Sequence, residues 1–276
     1  MPTVSIRGTE LYYEVHGSSG DPTLLLHGSL VDHHCWDAIV APLAQNLEVV
    51  VYDRRGYGQS TGPIRTQPVR DDAADLAGLL EETDRYPAHV IAHSYGGAVA
   101  FRLALDHPEM VRSLAVHETP FVGLLESDPV SAEEARRLLH GIRSIQEHIR
   151  SGDLSTGVRE IVEAFSTEAG AWSRLRPETQ QQFMRNAKRW SEEFDDPEAI
   201  RPEGQGLADL LLPVLLTSGE RSPPFLRRVN ATLAESLRNA SVLTIPDTGH
   251  VPHITSPHQY AGLLLNFLLE RNVPTT

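Results

Sequence analysis

The stretch AHVIAHSYGGAVAFRLAL, residues 88–105, decides the fold of this chain. Its first half is short and continuously apolar, which is typical of a strand that is covered on both faces. Its second half has the apolar spacing of a helix. The change occurs at Ser94, so the sequence predicts a strand that passes into a helix with almost no connecting loop.

The same alternation extends through most of the chain. Short apolar runs alternate with longer helical patterns, which predicts an α/β fold with a mostly parallel, doubly wound sheet. The expected strands are 23–28, 47–53, 88–94, 111–118, 211–219 and 240–247, preceded by two alternating N-terminal strands. The expected helices are 69–82, 96–109, 224–237 and 257–271.

One long interval, from about residue 121 to 210, has no convincing strand pattern. Successive amphipathic helices are predicted there instead, because a segment of this length is too long to be a loop. We therefore expect a core domain of residues 1–120 and 211–276, with residues 121–210 forming an inserted helical cap, or lid. Three aromatic residues recur at helical spacing in this cap and are expected to form its own core, with one or two lining a pocket: Phe183, Trp190 and Phe194.

The composition excludes several classes of partner. The formal net charge of -13 over 276 residues argues against binding to nucleic acid or to an anionic membrane surface. A single cysteine, Cys35, rules out an internal disulfide and fits a reducing compartment. The N-terminal residues do not resemble a secretory signal, and no apolar run approaches membrane-spanning length. These features predict a cytoplasmic protein with a small-molecule ligand, and they leave the oligomeric state open, including a homodimer.

The turn at Ser94 carries the first chemical signal. Residues 92–96, AHSYG, have the form of a nucleophile elbow, with alanine replacing the usual first glycine. Small residues on both sides of the serine let the backbone turn sharply and project the hydroxyl above the sheet. Tyr95 would offer its backbone N–H to a developing oxyanion at the helix N-terminus. A serine that merely caps the helix is the plainer alternative.

Two other segments supply candidate partners for this serine. An apolar strand pattern ends at Gly28, which permits a turn that would expose the amides of Ser29 and Leu30 as a second oxyanion donor. His250 follows the last expected strand and precedes the terminal helix. A loop histidine at this point can swing over a serine on a central strand.

Taken together, these segments resemble the α/β-hydrolase superfamily over nearly the whole chain. In many members the acid of the catalytic triad lies three positions past a glycine, after the penultimate strand. This chain has Gly219 and, at the position of the acid, Ser222. Some members instead take the acid from the end of the strand after the nucleophile helix, where Glu118 stands. This position of the acid resembles its position in haloalkane dehalogenases and in zearalenone-type lactone hydrolases.

The resemblance implies a triad of Ser94 as nucleophile, Glu118 as acid and His250 as base, in the chain order of the fold. Glu220 is the alternative acid, and a different acid remains open. The implied activity is a cofactor-independent serine hydrolase that cleaves a small or medium apolar ester or lactone through an acyl-enzyme.

Two other enzymatic activities remain as alternatives, carbon–carbon bond hydrolysis and cofactor-free haloperoxidase or perhydrolase activity. A non-catalytic ligand receptor that uses the hydrolase pocket is an alternative of another class. No metal site is expected at residues 32–35, DHHC, because adjacent residues do not easily converge on one ion.

Overall fold

The computed structural model describes residues 2–62, 68–127, 129–202 and 206–270. Within these ranges, eight strands form one sheet. The strands are β1 (Thr3–Ile6), β2 (Thr9–His16), β3 (Pro22–Leu26), β4 (Glu48–Tyr52), β5 (Ala88–His93), β6 (Val111–His117), β7 (Val214–Gly219) and β8 (Ala240–Ile245). Their spatial order is β1-β2-β4-β3-β5-β6-β7-β8. Strand β2 pairs antiparallel with both β1 and β4, and the remaining pairs are parallel, which confirms the predicted, mostly parallel, doubly wound α/β fold.

Helices connect the parallel strands, as such crossovers require. In chain order they are α1 (Asp37–Leu43), α2 (Pro68–Glu82), α3 (Tyr95–Asp106), α4 (Ala132–Arg150), α5 (Leu154–Ala164), α6 (Ala171–Arg174), α7 (Pro177–Glu193), α8 (Pro224–Glu235), α9 (Pro252–Thr255) and α10 (Pro257–Glu270). Short 3-10 turns complete several of the connections.

The central strands are buried on both faces because helices cover each side of the sheet. All six residues of β5 are buried. Val90 and Ala92 pack into the layer that contains α2 and α3, whereas Ile91 packs into the layer that contains α1 and α10. Consecutive side chains of a strand point to opposite faces, so a strand between two apolar layers needs apolar residues throughout.

The last strand differs from the prediction. Its apolar run indicates burial on both faces, but Val242 is 46% exposed and Leu243 is 36% exposed. The sheet ends at β8, which pairs with β7 alone among the described strands. The apolar contacts of β8 are therefore confined to its ends, where Ile245 is buried.

Helices α4 to α7 lie between β6 and β7 in the chain, and no strand interrupts them in the described part of residues 121–210. Helix α4 packs against α5 and α7, and the buried residues of α4 and α5 include the apolar side chains of Ile149 and Val158. Within α7 and its C-cap, the rings of Trp190 and Phe194 stack with centroids 4.5 Å apart. This cap meets the carboxyl end of the sheet, where the candidate site lies.

Candidate active site

The turn between β5 and α3 projects Ser94 from the carboxyl edge of the sheet. Ser94 has φ 52° and ψ -123°, a backbone conformation that residues other than glycine rarely adopt. The turn brings α3 very close to β3, because a Cβ added at Gly96 would lie 2.6 Å from the carbonyl oxygen of Leu26. Only glycine fits at this position. The strand-to-helix change seen in the sequence is therefore a close turn with the backbone geometry that a nucleophile elbow requires.

Glu118 lies beside Ser94 because of the register of two parallel strands. His93 on β5 pairs with His117 on β6, so the residues that follow them leave the sheet side by side. Glu118 is fully buried and also has a positive φ, of 51°. Its Oε2 lies 2.6 Å from Nδ1 of His250, and its Oε1 accepts a hydrogen bond of 2.8 Å from the amide of Gly219.

The surroundings of Glu118 favour its ionised form. Burial alone opposes ionisation, but His117 and the hydrogen bond with His250 outweigh that effect and lower the pKa of Glu118 to about 2. The carboxylate is thus charged at neutral pH, where it fixes the histidine ring and can stabilise a positive charge on it.

Contacts from three sides hold the loop that carries His250. The carboxylate of Glu118 binds the ring of His250. On a second side, Nε2 of His93 donates a 2.8 Å hydrogen bond to the backbone carbonyl of His250. From the cap, the ring of Phe165 stacks on the imidazole with centroids 4.6 Å apart. Because Nδ1 faces the carboxylate, Nε2 is the ring nitrogen left for proton exchange with a substrate or nucleophile.

Ser94 and His250 line the same cavity. Within the described residues the two side chains make no direct hydrogen bond with each other. The structure thus brings Glu118 and His250 into contact and places Ser94 at the wall of the cavity into which the histidine also faces.

The alternative acid, Glu220, is exposed, and its carboxylate accepts a 3.1 Å hydrogen bond from the amide of Asp247 rather than contacting His250. Ser222, at the position where many relatives of this fold carry the acid, is buried. Its hydroxyl also favours ionisation of Glu118, although less than His117 and His250 do. The carboxylate next to the ring therefore comes from β6.

Two of the oxyanion candidates, Gly28 and Ser29, occupy the turn after β3, and the third, Tyr95, begins α3. The carbonyl of Gly28 accepts a 3.0 Å hydrogen bond from Arg54. In a trans peptide the following N–H points the opposite way, so the amide of Ser29 faces away from Arg54. A Cβ added at Gly28 would lie 3.1 Å from Cβ of Ser94, which shows how closely this turn approaches the serine. In the described part of the chain, neither the Ser29 amide nor the Tyr95 amide donates a hydrogen bond to another group.

A buried histidine fixes this turn from behind. Nε2 of His27 accepts a 3.0 Å hydrogen bond from the amide of Arg54, and Nδ1 donates to the carbonyl of Gly28 at 2.7 Å. Burial lowers the pKa of His27 to about 3, so the ring is neutral and can donate and accept at the same time.

The shared cavity has a volume of about 1020 Å³ and lies between the sheet and the cap. Ser29, Ser94 and His250 form its floor. Its cap wall includes four aromatic side chains, which are Phe165, Phe183, Trp190 and Phe194. The prediction assigned most of these aromatic residues to the cap's own core. Trp190 and Phe194 are buried and still border the cavity, because the core of the cap continues into its wall.

Several histidines surround His250, and no pattern in the sequence indicates this grouping. The ring of His93 lies 4.6 Å from that of His250 and 4.7 Å from that of His253, and Nδ1 of His117 lies 2.9 Å from the hydroxyl of Thr217. Burial lowers the pKa of His93 and His253 well below the usual range and that of His117 to about 4. These neutral rings pack around the catalytic candidate. In the sequence they are indistinguishable from surface histidines.

Potential metal ligands occur near the cavity, at Asp32, His33 and Asp53, whose donor atoms lie within 4.8 Å of one another. The carboxylate of Asp53 already accepts hydrogen bonds from the amide and Nδ1 of His33, at 2.9 and 2.8 Å, and from the amide of Gln59. Asp53 therefore holds the loop after β4 through contacts with His33 and Gln59.

None of the helices in the described ranges combines the length and the apolar character that crossing a bilayer requires.

Comparison with known proteins places this geometry in a family. Residues 23–263 match the model of the family described as "Alpha/beta hydrolase family". The chain is 27% identical to "Putative carbamate hydrolase RutD" of Azorhizobium caulinodans, over 97% of this chain and 98% of that protein. It is also 27% identical to the pimeloyl-[acyl-carrier protein] methyl ester esterase of Pectobacterium carotovorum, over 93% and 98% of the two chains.

A solved structure extends this likeness. The N-acyl homoserine lactone degrading enzyme Est816 superposes with a TM-score of 0.71 at 26% identity, covering 96% of this chain and all of that one, 100%. These relatives are hydrolases, and the match to the family runs from β3 into α10, across the cap helices α4 to α7. The chain belongs to the alpha/beta hydrolase family and is a hydrolase enzyme.

Proposed function

We propose that this enzyme is a cofactor-independent serine hydrolase that cleaves a small or medium apolar ester or lactone through an acyl-enzyme. The observation that carries the proposal is the 2.6 Å contact between the buried carboxylate of Glu118 and Nδ1 of His250, beside an elbow serine on the neighbouring strand. A base held by an ionised acid, near a serine hydroxyl at the wall of the same cavity, is the arrangement that activates a serine.

The proposed reaction has two halves, formation and hydrolysis of the acyl-enzyme, and His250 acts as a base and then as an acid in each. His250 removes the proton of Ser94 as its Oγ attacks the carbonyl carbon, and the amides of Ser29 and Tyr95 stabilise the resulting oxyanion. The tetrahedral intermediate collapses to the acyl-enzyme as the protonated His250 gives its proton to the leaving alkoxide. His250 then takes a proton from water, which attacks the acyl carbon of the acyl-enzyme. The second tetrahedral intermediate collapses as the protonated His250 returns this proton to Oγ of Ser94, and the carboxylic acid is released.

Two lines of support bear on the substrate class. The cavity beside Ser94 has an aromatic cap wall, which favours an apolar acyl or alkyl group. The names of the relatives specify a methyl ester, an N-acyl homoserine lactone and a carbamate, all of which have a carbonyl carbon bonded to a heteroatom leaving group. A serine nucleophile also disfavours dehalogenation and epoxide opening through an alkyl-enzyme.

The test is labelling of Ser94 together with turnover of a panel of p-nitrophenyl esters and lactones. A fluorophosphonate should label the native protein with one equivalent, and Ser94→Ala should abolish both labelling and turnover while the circular dichroism spectrum stays unchanged. Folded native protein that is not labelled, or Ser94→Ala protein that keeps its turnover, would contradict the proposed function.

A further inference from the structure

One face of cap helix α7 lies along the turn after β3, which carries Gly28 and Ser29. Three side chains on this face bind the segment of residues 29–32: Nε2 of Gln182 donates to Asp32 at 2.8 Å, Nδ2 of Asn186 donates to the carbonyl of Leu30 at 2.8 Å, and Glu193 accepts from the hydroxyl of Ser29 at 2.5 Å. Spacings of four and seven residues place these side chains on one side of a helix.

Glu193, at the end of α7, is the most buried of these three contacts. Its side chain is fully buried, with Oε2 bound to Ser29 and Oε1 bound to Arg54 at 2.7 Å and to the hydroxyl of Tyr57 at 3.0 Å. A carboxylate carried by the cap is therefore inserted into the core domain directly behind the turn.

Arg54 links Glu193 to the backbone of the same turn. Its guanidinium donates to the carbonyls of His27 and Gly28, at 3.2 and 3.0 Å, as well as to Glu193. The charges in this cluster are balanced, since Asp72 and Arg189 complete it with contacts of 3.0 Å to each other and of 2.6 Å between Asp72 and Arg54. Buried charges that are fully paired hold a single geometry, because breaking one contact leaves another charge unpaired.

These contacts determine the direction of one N–H group. The peptide between Gly28 and Ser29 has its carbonyl fixed by Arg54 and the side chain of its second residue fixed by Glu193. Its N–H therefore points away from Arg54, and Ser29 lines the same cavity as Ser94. A donor gains catalytic strength from being aligned before the reaction, and its alignment here depends on a residue of the cap.

We propose that Glu193 is a positioning residue for the oxyanion hole, acting through the hydroxyl of Ser29, so that the docking of cap helix α7 completes the catalytic site. This inference rests on the proposed function, because it assigns the Ser29 amide to the oxyanion of the same reaction. The cap then has two roles: it forms the aromatic wall of the cavity and it aligns a donor at the reacting carbonyl.

The test compares Ser29→Ala, which keeps the amide but removes the link, with Lys188→Ala, an exposed substitution on the same helix. Turnover of p-nitrophenyl acetate is measured per fluorophosphonate-reactive site, together with inhibition by phenylboronic acid, which forms a tetrahedral anionic adduct with serine. We expect Ser29→Ala to lower kcat about tenfold and to weaken boronate inhibition by a similar factor, with KM almost unchanged. Lys188→Ala should match the native enzyme in all three.

A second variant tests the cap residue directly. In Glu193→Gln the boronate affinity should fall at least as far as in Ser29→Ala, and adding Ser29→Ala to it should cause little further loss. Glu193→Gln removes one of the negative charges that pair with Arg54, and this loss can unfold the protein. If the variant does not fold, the result for Ser29→Ala alone tests the inference. Native kcat and native boronate affinity in Ser29→Ala would overturn the inference. Native enzyme that neither turns over the ester nor binds the boronate would instead contradict the proposed function.

Discussion

At the scale of single residues, the position of Glu118 directly after β6 is the most informative feature of the site. The same carboxylate contacts His250 through one oxygen and the amide of Gly219 on β7 through the other. The acid is thereby anchored to two strands, and Ser222 is left with a small side chain where an acid at the usual position would meet Glu118.

The substitution Glu118→Gln should lower kcat by about 100-fold or more with the fold intact. A neutral amide of the same shape cannot stabilise a positive imidazolium, and it can hold the ring in the wrong tautomer. Steady-state kinetics on the best ester of the panel measures the effect. Glu220→Gln is the matched control, expected to keep native kcat, and a large loss in the control with a small one in Glu118→Gln would reverse the assignment of the acid.

The sequence allowed some of these residues to be predicted and not others. Ser94 could be recognised because a sharp turn demands a specific pattern of small residues, and Glu118 because serine occupies the usual place of the acid. Glu193 and His93 could not be recognised. A carboxylate on an amphipathic helix and a histidine on a strand acquire their contacts only when residues about 160 positions apart meet, as Ser29 and Glu193 do (|i−j| = 164).

At the scale of elements, the close contact between α3 and the end of β3 limits which residues can form the turn around Ser94. Gly96 brings the first turn of α3 against the carbonyls at the end of β3, and its missing side chain is required there. The terminal helix α10 contains a glycine in the opposite situation, since a Cβ added at Gly262 would meet nothing within 4 Å.

These two glycines predict opposite effects of the same substitution. Gly96→Ala should destabilise the fold by about 2 kcal/mol or more and remove activity, because the added methyl group meets backbone atoms that cannot move independently. Gly262→Ala should stabilise it by about 0.5–1 kcal/mol, because alanine favours a helix over the unfolded chain. Urea unfolding of both variants measures the difference, and equal changes of the same sign would contradict this account of the elbow.

Strand prediction succeeded in the centre of the sheet and was less informative at its edge. Continuous apolar runs identified β3 to β7 because helices cover both faces of these strands. The run in β8 is equally apolar, but its position as the last strand of the sheet leaves Val242 and Leu243 exposed. A strand's neighbours, rather than its own composition, decide that difference.

At the scale of the whole molecule, buried neutral histidines make stability depend on pH. Four buried histidines have a lowered pKa in the folded protein: His27 at about 3, His117 at about 4, and His93 and His253 well below their usual range. Each takes up a proton on unfolding when the pH lies between its folded value and about 6.5, so acid favours the unfolded state.

The free energy of unfolding should therefore fall steeply as the pH drops from 6.5 to 5, by about 2 kcal/mol for each of these histidines at pH 5. The lowered pKa of Glu118 acts in the same direction at lower pH, since its stabilising contribution is present above about pH 4.5 and is lost as the pH falls toward 2. His33, whose pKa is raised because Asp53 outweighs its burial, offsets part of the loss below pH 6.5.

Urea unfolding at several pH values between 7.5 and 5 measures this dependence. His253→Asn removes one of the buried groups and should make the fall with pH shallower. His140→Asn is the control, because that side chain is exposed in the folded protein as it is in the unfolded chain. A pH-independent stability over this range would show that the buried rings do not titrate on unfolding.

The overall fold could be predicted because it follows from local patterns repeated along the chain. The cavity could not, because its shape depends on which side of each cap helix meets the sheet. Phe165 illustrates this: its stacking on His250 joins residues from the cap and from the loop after β8. No periodicity within either segment contains that contact.

The positive φ angles of the residues that follow β5 and β6 have an energetic consequence. Ser94 and Glu118 both hold positive φ angles that glycine would adopt without strain. Holding a serine and a glutamate in this conformation costs free energy of folding. The residues that the proposed mechanism needs are thus held at a cost in stability, which at Glu118 is offset by its contacts with His250 and with the amide of Gly219.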